Sequence, residues 1–595
     1  MVMIFTRNNL NLSSSPYLRQ HERNPVWWQE WSSASVDFAR KENKPLFVSV
    51  GYATCHWCHV MASESFQNKG VADYLNAHFV SIKVDREQRP DIDRYLMAYI
   101  LTIGSSGGWP LNSFLTPDLK PIFALTYAPV IGRSGMSGFL DILMKVNEHF
   151  VRYKDQLPTF SIASDDAAEI PNPDFAENLE NSFDPMYGGF GDGAKFPPHS
   201  TLLFMLYYLA SSENKKLRRM TEKTLDAMLT GGLHDHLQGG VFRYCVDRKW
   251  HVPHFEKMLY DQGMLLWVYS LAFAVFKNDS YRSAAHHIIK CLEETFEDKG
   301  VYYSGHDADT DHKEGMTYLW NPEEVFRILS PAQAAAFTDL YRFVAAGDVD
   351  GSSHLIKVRL QSLEDVEAKL LAERQIRRQP FVDRKIITSW NCLAGIGLIH
   401  AYRYTGMPNA LNKAEDIIKF ILSQHFIGGI LAHSSLDGMI QKQSFLQDMA
   451  ALLLFITYFY EETGRYYDEA IDLGRKIHDF SKDRIWYESL NSDFQPVIAD
   501  SFDLPIPSSV SLAEFALIRL NNITGDEILP RNYRSPLSND FYNIVGLVAN
   551  GHFHLIQTPD KIDWSKLPIN VIQRPGNVFQ DCYQGACREL ASAKK

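Results

Sequence analysis

Two cysteines, Cys55 and Cys58, carry the clearest chemistry in this chain of 595 residues. They follow an apolar run at residues 45–50 and precede a segment of helical character at residues 60–66. A C-x-x-C motif between a strand and a helix suits thiol–disulfide exchange, because the N–H groups and partial positive charge of a helix N-terminus stabilise a thiolate. We expect Cys55, the first and more exposed cysteine, to be the nucleophile and Cys58 to resolve the mixed disulfide.

The same motif has a metal-binding alternative. Zinc sites also use C-x-x-C, but they need further ligands at a suitable spacing. The nearest other cysteine is Cys245, whereas His59 directly follows Cys58. A metal held by Cys55, Cys58 and His59 therefore stays open as an alternative, while the favoured interpretation expects no metal and no cofactor.

A second redox element is the dipeptide Trp109-Pro110, which follows two glycines and precedes an apolar run. Bonds that precede proline are nearly the only peptide bonds in which the cis form is tolerable. At this distance from the C-x-x-C motif we favour a cis Pro110 that supports pairing with a substrate backbone. An ordinary trans turn is the alternative.

Composition limits the class of protein. The hydrophobic content of 45% and charged content of 22% are typical of a globular protein. The net charge of −12 gives no basic footprint for nucleic acid. The longest apolar run, at about residues 264–276, is shorter than the ~20 residues of a membrane span, and residues 1–5 are too short for a signal peptide core. We expect a cytoplasmic protein without a nucleic-acid or membrane partner.

The chain is long enough for about two to four domains. Residues 1–155 alternate strands (46–50, 79–84, 111–115, 123–127) with helices (35–42, 60–66, 91–103, 138–153), which predicts an α/β domain. Residues 156–200 form a predicted linker and entry loop. Residues 201–525 hold about ten apolar helices, with one or two more near 513–520, and predict an all-α (α/α)6 barrel or helical array. Residues 526–595 form a small mixed segment, with predicted strands at 541–549 and 553–557.

Motifs over nearly the whole chain resemble the YyaL-like spermatogenesis-associated thioredoxin-domain family. The motifs that carry this resemblance are Ser15-Pro16-Tyr17-Leu18, Cys55-His56-Trp57-Cys58-His59, Gly107-Gly108-Trp109-Pro110, Gly188-Gly189-Phe190-Gly191, His254-Phe255-Glu256-Lys257, Asp307-Ala308-Asp309 and Ser389-Trp390-Asn391. The resemblance implies a thioredoxin-like domain fused to a six-hairpin glycosidase-like barrel, similar to N-acylglucosamine 2-epimerases. One departure concerns proton transfer: thioredoxins keep a buried acid on the strand before the motif, and the comparable place here is near Ser49.

The densest polar cluster of the helical region lies at residues 231–261. Sugars bind to aromatic faces and planar polar side chains, so we predict substrate contacts at Arg243, Tyr244, Asp247, Trp250, Asp261, Asp307, Trp390 and Asn391. Glycoside hydrolysis needs two carboxylates, for which Glu256 and Asp309 are the best pair. Epimerisation needs an acid and a base on opposite faces of a carbon, for which His254 with His234 or His306 would serve.

Cys582 and Cys587 lie close together near the end of the chain. They could form a disulfide, meet the redox site or be inert, and the expected cytoplasmic location favours reduced thiols. The hypothesis for the whole chain is a thiol–disulfide oxidoreductase with a protein dithiol or disulfide partner, fused to a barrel that binds or converts a sugar. The alternatives are a non-catalytic scaffold with a vestigial dithiol, and metal binding at the C-x-x-C motif.

Overall fold

A computed structural model describes residues 5–133, 135–162, 173–342, 349, 351–490, 493–504, 506–525, 540–559 and 562–589. The chain forms two compact units. The first comprises Met1–Ser164, Ser434–Gln443 and Tyr487–Ile498, and the second comprises Asp165–His433, Ser444–Trp486 and Ala499–Lys595. The first unit therefore contains two segments from within the range 201–525 that the sequence assigns to the helical domain.

A five-stranded sheet in the order β1-β3-β2-β4-β5 forms the centre of the first unit. Its strands are β1 (Gln29–Glu30), β2 (Leu46–Gly51), β3 (Val80–Asp85), β4 (Leu111–Leu115) and β5 (Pro121–Leu125). Strands β1 and β2 run parallel to β3, whereas β4 and β5 are antiparallel to their neighbours. Every residue of β2 and β3 is buried, as expected for parallel strands that are covered on both faces.

Six helices accompany this sheet in the described residues. They are α1 (Pro16–Gln20), α2 (Ser33–Glu42), α3 (His56–Ser63), α4 (Lys69–His78), α5 (Pro90–Thr102) and α6 (Phe139–Tyr153). The predicted strands and helices of residues 1–155 are confirmed within a few residues, while α1, α4 and β1 were not predicted. Strand order and helix placement are those of a thioredoxin-like domain, so the predicted fold class of this unit is confirmed.

The second unit is a closed ring of helices. In the part of the chain that the structure describes, its inner helices are α7 (His199–Ser211), α9 (Leu259–Phe276), α14 (Thr388–Thr405), α16 (Leu446–Thr463), α18 (Ser509–Thr524) and α19 (Asn543–Ala549). Each inner helix contacts the next, and α19 contacts both α18 and α7, which closes the ring. The inner helices are buried along most of their length.

The outer helices pack in sequence on the inner helices that precede them. They are α8 (Lys215–Thr230), α10 (Asp279–Cys291), α15 (Asn409–Phe420) and α17 (Tyr467–Lys476), and each buries one stripe of apolar side chains. Three further helices lie between α10 and α14: α11 (Pro322–Ile328), α12 (Pro331–Leu340) and α13 (Glu364–Ile376). This pairing of inner and outer helices confirms the predicted (α/α)6-type barrel.

Short strands occur in the connections between these helices. They are β6 (Tyr244–Cys245), β7 (Pro253–His254), β8 (Lys257–Met258), β9 (Glu297–Asp298), β10 (Val301–Tyr302), β11 (Gly305–His306), β12 (Asp309–Thr310), β13 (Lys313–Glu314), β14 (Tyr341–Arg342), β15 (Ile356–Lys357), β16 (Val382–Asp383), β17 (Ile386–Ile387), β18 (Phe426–Ile427), β19 (Ile430–Leu431), β20 (Ser434–Leu436), β21 (Met439–Gln441), β22 (Ser481–Lys482) and β23 (Ile485–Trp486). Of these, the β20–β21 hairpin belongs to the first unit.

Among the described residues, α9 is the one helix that is long and apolar enough to cross a membrane. Within the protein, 78% of this helix is buried. Its apolar character is accounted for by its place inside the ring.

The C-terminal part contains a four-stranded sheet in the order β25-β24-β26-β27. Its strands are β24 (His554–Thr558), β25 (Val571–Pro575), β26 (Gln580–Tyr583) and β27 (Ala586–Glu589). Cys582 and Cys587 face each other on β26 and β27 and form a disulfide. Of the alternatives for this pair, a disulfide, contact with the redox site or inert thiols, the structure shows the disulfide.

The strand predicted at 541–549 is wrong, since this segment contains helix α19, whereas the strand at 553–557 is confirmed as β24. A short apolar run rich in Ile and Val does not by itself distinguish a strand from a buried helix. The segment is helical because it packs against α7 and α18 and closes the ring of inner helices.

The contact between α9 and α14 generates a prediction about stability. An added Cβ at Gly263 would lie 2.7 Å from the backbone nitrogen of Ala394 and 2.8 Å from its Cα. Gly263→Ala should therefore lower the free energy of unfolding by about 1–3 kcal/mol, the usual cost of overpacking, and calorimetry measures this. Gly193→Ala is the control, because an added Cβ there meets no atom within 4 Å. Equal melting temperatures for the two variants would contradict the close approach of these helices.

Candidate functional site

The dithiol lies where β2 ends and α3 begins. Cys55 is the N-cap of α3, and it forms a disulfide with Cys58, with 5.3 Å between the two Cα atoms. Cys55 Sγ accepts a hydrogen bond of 3.2 Å from the backbone N–H of Cys58. The first turn of the helix therefore directs an N–H group and its partial positive charge at the first sulfur.

The exposure of the two cysteines differs from the expectation. Cys55 is 3% exposed and Cys58 is 2% exposed, so Cys55 is not markedly the more accessible of the two. Trp57, between them in sequence, is 51% exposed. Its ring lies 5.4 Å from the ring of Tyr127, measured between centroids. The sulfurs thus lie just beneath a surface to which Trp57 contributes an exposed aromatic ring.

The peptide bond between Trp109 and Pro110 is cis, as predicted, and β4 begins directly after it. Trp109 is held from two sides. Its indole N–H donates to Asp93 Oδ1 at 2.8 Å. The guanidinium carbon of Arg86 lies 3.8 Å from the centroid of its ring. These contacts fix the position of the residue that precedes Pro110.

Ser49, which the sequence resemblance compares with the buried acid of thioredoxins, is paired with a buried lysine. Ser49 on β2 lies opposite Lys83 on β3, and Lys83 Nζ donates to Ser49 Oγ at 2.9 Å. Lys83 is fully buried, and its Nζ lies 5.2, 4.8 and 4.4 Å from the ring centroids of Tyr17, Trp28 and Phe66. Burial holds the pKa of Lys83 well below its usual value. Sequence analysis identified Ser49 but missed its lysine partner.

Ser15 fixes helix α1 against the sheet. Its Oγ accepts from the backbone N–H of Leu18 at 3.2 Å, as an N-cap does, and donates to Asp85 Oδ2 at 2.6 Å. Asp85 is the last residue of β3. The motif Ser15-Pro16-Tyr17-Leu18 is therefore a capped helical turn that is hydrogen-bonded to the end of β3, the strand that pairs with β2.

The metal alternative rests on Cys55, Cys58 and His59. In this structure the two sulfurs are bonded to each other. The described residues contain no group of three or more His, Cys, Asp or Glu side chains that could hold a metal ion. Metal binding at this motif stays a prediction that elemental analysis of the reduced protein tests.

The second candidate site lies at the N-terminal ends of the inner helices of the ring. His199 and Asp261, in the first turns of α7 and α9, approach to 3.4 Å between Nε2 and Oδ1. The rings of Tyr260 and Trp390, at the starts of α9 and α14, meet edge to face with 4.8 Å between centroids. Helix N-termini carry partial positive charge, so their meeting point favours polar and anionic ligands.

Glu256 is the centre of a buried charged cluster beside these helix ends. It accepts from Arg243 Nη1 at 2.8 Å and lies 3.1 Å from His254 Nε2. His254 Nδ1 contacts Glu314 on its other side. The β6–β7 hairpin places Tyr244 opposite His254. Four of the predicted site residues, Arg243, Tyr244, His254 and Glu256, are thus brought together.

Opposite charges set the protonation states in this cluster. Burial alone lowers the pKa of His254, but Glu256 and Glu314 raise it to about 9. Burial alone raises the pKa of Glu256, but Arg243 and His254 hold it at about 2. Burial raises the pKa of Asp261 well above its usual value, and Glu256 acts in the same direction. At neutral pH, Glu256 is therefore ionised, whereas burial disfavours the charged form of Asp261.

Asp309, the second predicted carboxylate, lies on the hairpin that brings Glu314 to His254. Asp309 and Glu314 are directly opposite each other on β12 and β13. Asp307 precedes this hairpin, and its Oδ1 accepts from the backbone N–H of Asp309 at 3.0 Å. The predicted Asp309 thus lies close to the cluster in the fold, and Asp307 shapes its loop.

Three other predicted contact residues make structural interactions. Asp247 accepts from the backbone N–H groups of Lys249 and Val252, each at 2.7 Å. Trp250 is buried, and its indole N–H donates to Gly188 O at 3.4 Å. Asn391 is buried; its Oδ1 accepts a hydrogen bond from the backbone N–H of Tyr302 at 2.9 Å, and its Nδ2 donates one to Tyr302 O at 3.0 Å. These residues stabilise the loops and helix ends that carry the cluster.

The two other histidines proposed for epimerisation lie in separate surroundings. His306 Nε2 is 2.9 Å from Thr295 O, and burial lowers its pKa to about 3. His234 lies beside His236, with 5.4 Å between ring centroids, and burial lowers its pKa well below the usual value. Both are neutral at neutral pH, in contrast to His254.

Sequence reasoning missed Glu314 and His199. Glu314 lies in a hairpin whose pairing only the fold reveals, so no signal in the sequence marked it. His199 follows two prolines at the start of an apolar helix, and this position could have marked it as a residue at a helix N-terminus.

Comparisons with known proteins agree with this architecture. A family model described as "Protein of unknown function, DUF255" (Thioredox_DsbH) matches residues 7–165. Human spermatogenesis-associated protein 20 is 32% identical over 608 residues, which cover 87% of this chain and 76% of that protein. The uncharacterized protein B0495.5 of Caenorhabditis elegans is 32% identical over 595 residues, which cover 88% of this chain and 81% of that protein.

Solved structures are similar at a low level. The family 76 glycoside hydrolase (mannosidase) Bt3792 of Bacteroides thetaiotaomicron is 10% identical and covers 63% of this chain and 98% of its own, with a TM-score of 0.39. A structure titled "DsbH Oxidoreductase" is 14% identical and covers 21% of this chain and 85% of its own, with a TM-score of 0.17.

The ionised His254 generates a prediction about pH. Its pKa of about 9 in the folded protein exceeds the usual 6.5, so its contribution to stability is fully present below pH 6.5 and is lost as the pH rises through 9. The difference in melting temperature between wild type and His254→Gln should therefore shrink between pH 6 and pH 10. Thermal unfolding across this range measures it. A difference that grows with pH would show that His254 is neutral in the folded protein.

Proposed function

This chain belongs to the family of spermatogenesis-associated protein 20, and on the geometry of its thioredoxin-like unit we propose that it is a thiol–disulfide oxidoreductase acting on a protein partner. The observation that carries the proposal is the Cys55–Cys58 disulfide at the start of α3, where the Cys58 N–H donates to Cys55 Sγ. A helix N-cap is the position that stabilises a thiolate in redox-active C-x-x-C motifs.

The exchange takes two steps. In the reduced protein, the Cys55 thiolate attacks one sulfur of a partner disulfide, the partner's S–S bond breaks, and its other sulfur leaves as a thiolate. The Cys58 thiolate then attacks Cys55 Sγ, the bond between Cys55 and the partner breaks, and the second partner thiolate leaves. The partner gains two electrons, and the protein returns to its disulfide form. The reverse sequence oxidises a partner dithiol.

The surroundings of the sulfurs favour a protein partner over a small thiol. Both cysteines are almost fully buried, whereas Trp57 offers an exposed aromatic ring beside them. A polypeptide that docks on this ring gains apolar contact area and brings its sulfur to Cys55.

Replacement of each cysteine tests the proposal. Wild type should accelerate the reduction of insulin disulfides by dithiothreitol, and Cys55→Ser and Cys58→Ser should each return the rate to the uncatalysed value. Reduced Cys58→Ser should also form a stable mixed disulfide when it is incubated with oxidised glutathione: Cys55 attacks the glutathione disulfide, one reduced glutathione leaves, and mass spectrometry detects the adduct.

Cys245→Ser is the matched control, because Cys245 is a buried free cysteine of the second unit. It should keep the catalysed rate. Insulin reduction by wild type at the uncatalysed rate, with no glutathione adduct on Cys58→Ser, would reject the oxidoreductase and favour a scaffold with a vestigial dithiol.

A second function is supported by the charged cluster of the ring. We propose that this cluster binds a sugar or a sugar-like ligand and transfers protons to and from that ligand. Glu256, ionised between Arg243 and His254, is the candidate base, and Asp261, whose pKa burial raises, is the candidate acid. The predicted pair of Glu256 and Asp309 shares the same Glu256 and stays a prediction.

A sugar panel tests the second function. Glu256→Gln should lower any epimerisation, isomerisation or hydrolysis of mono- and disaccharides by about a hundredfold or more, the usual share of general acid–base catalysis. Glu469→Gln, an exposed carboxylate on α17, should leave the activity unchanged. Turnover that is absent in wild type, or equal in wild type and Glu256→Gln, would leave the ring as a binding scaffold.

A further inference from the structure

The Tyr17 hydroxyl and Cys58 Sγ both border the space beside Gly51, where the backbone has no side chain. An ideal Cβ built on Gly51, the last residue of β2, would lie 2.6 Å from Tyr17 Cζ and 2.7 Å from Cys58 Sγ, and it would lie closer still to the Tyr17 hydroxyl. Any side chain at this position would separate the hydroxyl from the sulfur. The glycine therefore lets a phenol approach the second cysteine of the motif.

The Tyr17 hydroxyl has no hydrogen-bond partner among the described residues, although Tyr17 is fully buried. A buried hydroxyl without a partner loses free energy relative to one in water, so such groups usually have a ligand or a function. Cys58 Sγ in the disulfide is a weak acceptor, whereas a Cys58 thiolate is a strong one. The hydroxyl is thus poised for a partner that exists only in the reduced state.

The position of Tyr17 is fixed from several sides. Its helix α1 is tied to β3 through Ser15 and Asp85. The imidazole of His21 packs against the Tyr17 ring at 5.1 Å between centroids, and Lys83 Nζ lies 5.2 Å from that ring. These contacts leave the ring little freedom to turn its hydroxyl away from Cys58.

The charges around Tyr17 keep its hydroxyl protonated. Burial raises the pKa of Tyr17 well above its usual value, and the negative charge of Asp85 adds to this. His21 is neutral at neutral pH, because burial and then Lys83 lower its pKa. Tyr17 is therefore a hydrogen-bond donor over the range in which thiols titrate, while Lys83, Asp85 and His21 are the titratable groups that face it.

We propose that Tyr17 is a catalytic residue that donates a hydrogen bond to the Cys58 thiolate in the resolving step, in place of the buried carboxylate of thioredoxins. The proposal rests on the oxidoreductase function proposed above. Cys58 first loses its proton to solvent, and the hydroxyl of Tyr17 stabilises the resulting charge. The Cys58–Cys55 bond then forms, the bond between Cys55 and the partner breaks, and the partner thiolate takes its proton from solvent. Tyr17 keeps its own proton throughout.

Tyr17→Phe tests this step, because it removes only the hydroxyl. The probe is 5,5′-dithiobis(2-nitrobenzoate), whose coloured thiolate leaves once when Cys55 forms the mixed disulfide and again when Cys58 resolves it. The second release should be about tenfold slower at pH 7, as expected for a lost hydrogen bond to a charged sulfur. The pH of half-maximal rate for this second release should rise by about one unit.

Two comparisons separate this role from a structural one. The first release occurs on the same molecules and should stay within about twofold of wild type, whereas a folding defect would alter both releases. Tyr95→Phe removes another buried phenol of the first unit, whose hydroxyl donates to Phe160 O at 3.2 Å, and it should leave both phases and the pH profile unchanged.

The outcomes are distinguishable. A wild type that shows the second release, with a Tyr17→Phe variant that matches it in rate and pH profile, overturns the role of Tyr17 and leaves the proposed function intact. A wild type that shows no second release overturns the oxidoreductase itself, and with it the role of Tyr17.

Discussion

The dithiol site depends on the missing side chain at Gly51. This residue ends a strand that is buried on both faces, directly before the loop that leads to the C-x-x-C motif. Because it has no Cβ, helix α1 can pack so that the Tyr17 hydroxyl and Cys58 Sγ share one small space. The link from Ser15 to Asp85, the Lys83–Ser49 hydrogen bond and the aromatic rings around Lys83 all surround that space. The polar chemistry beneath the sulfurs is therefore built from three elements, α1, β2 and β3.

In the helical unit, buried charges are paired because an isolated buried ion costs several kcal/mol. The segment from His254 to Lys257 shows how one motif supplies two networks. It is extended, so successive side chains point to opposite sides. His254 and Glu256 join Arg243 in the candidate site. Phe255 packs against Phe242 and Tyr318. Lys257 bonds Asp235, which Arg374 also holds.

The electrostatics of that cluster could not be derived from residue types. Burial alone would raise the pKa of Glu256 and favour its protonated form. In the fold it lies between Arg243 and His254, which reverse the direction of the shift. For Asp261 the effect of burial prevails and raises its pKa, although Arg243 acts in the opposite direction. The sign of each shift thus follows from neighbours that are separated in sequence and brought together by short hairpins.

The sequence by itself determined the local elements and their order. Rules that act over a few residues predict these elements. They apply to the apolar runs at 46–50 and 79–84, to the helical periodicity of the second half and to the spacing of Cys55 and Cys58. The tertiary structure alone decided which groups meet: Tyr17 with Cys58, Lys83 with Ser49, and Glu314 with His254. It also made residues 543–549 a helix and buried Cys55, because ring closure and packing act between segments far apart in the chain. Such contacts depend on distances in space, which local sequence patterns do not encode.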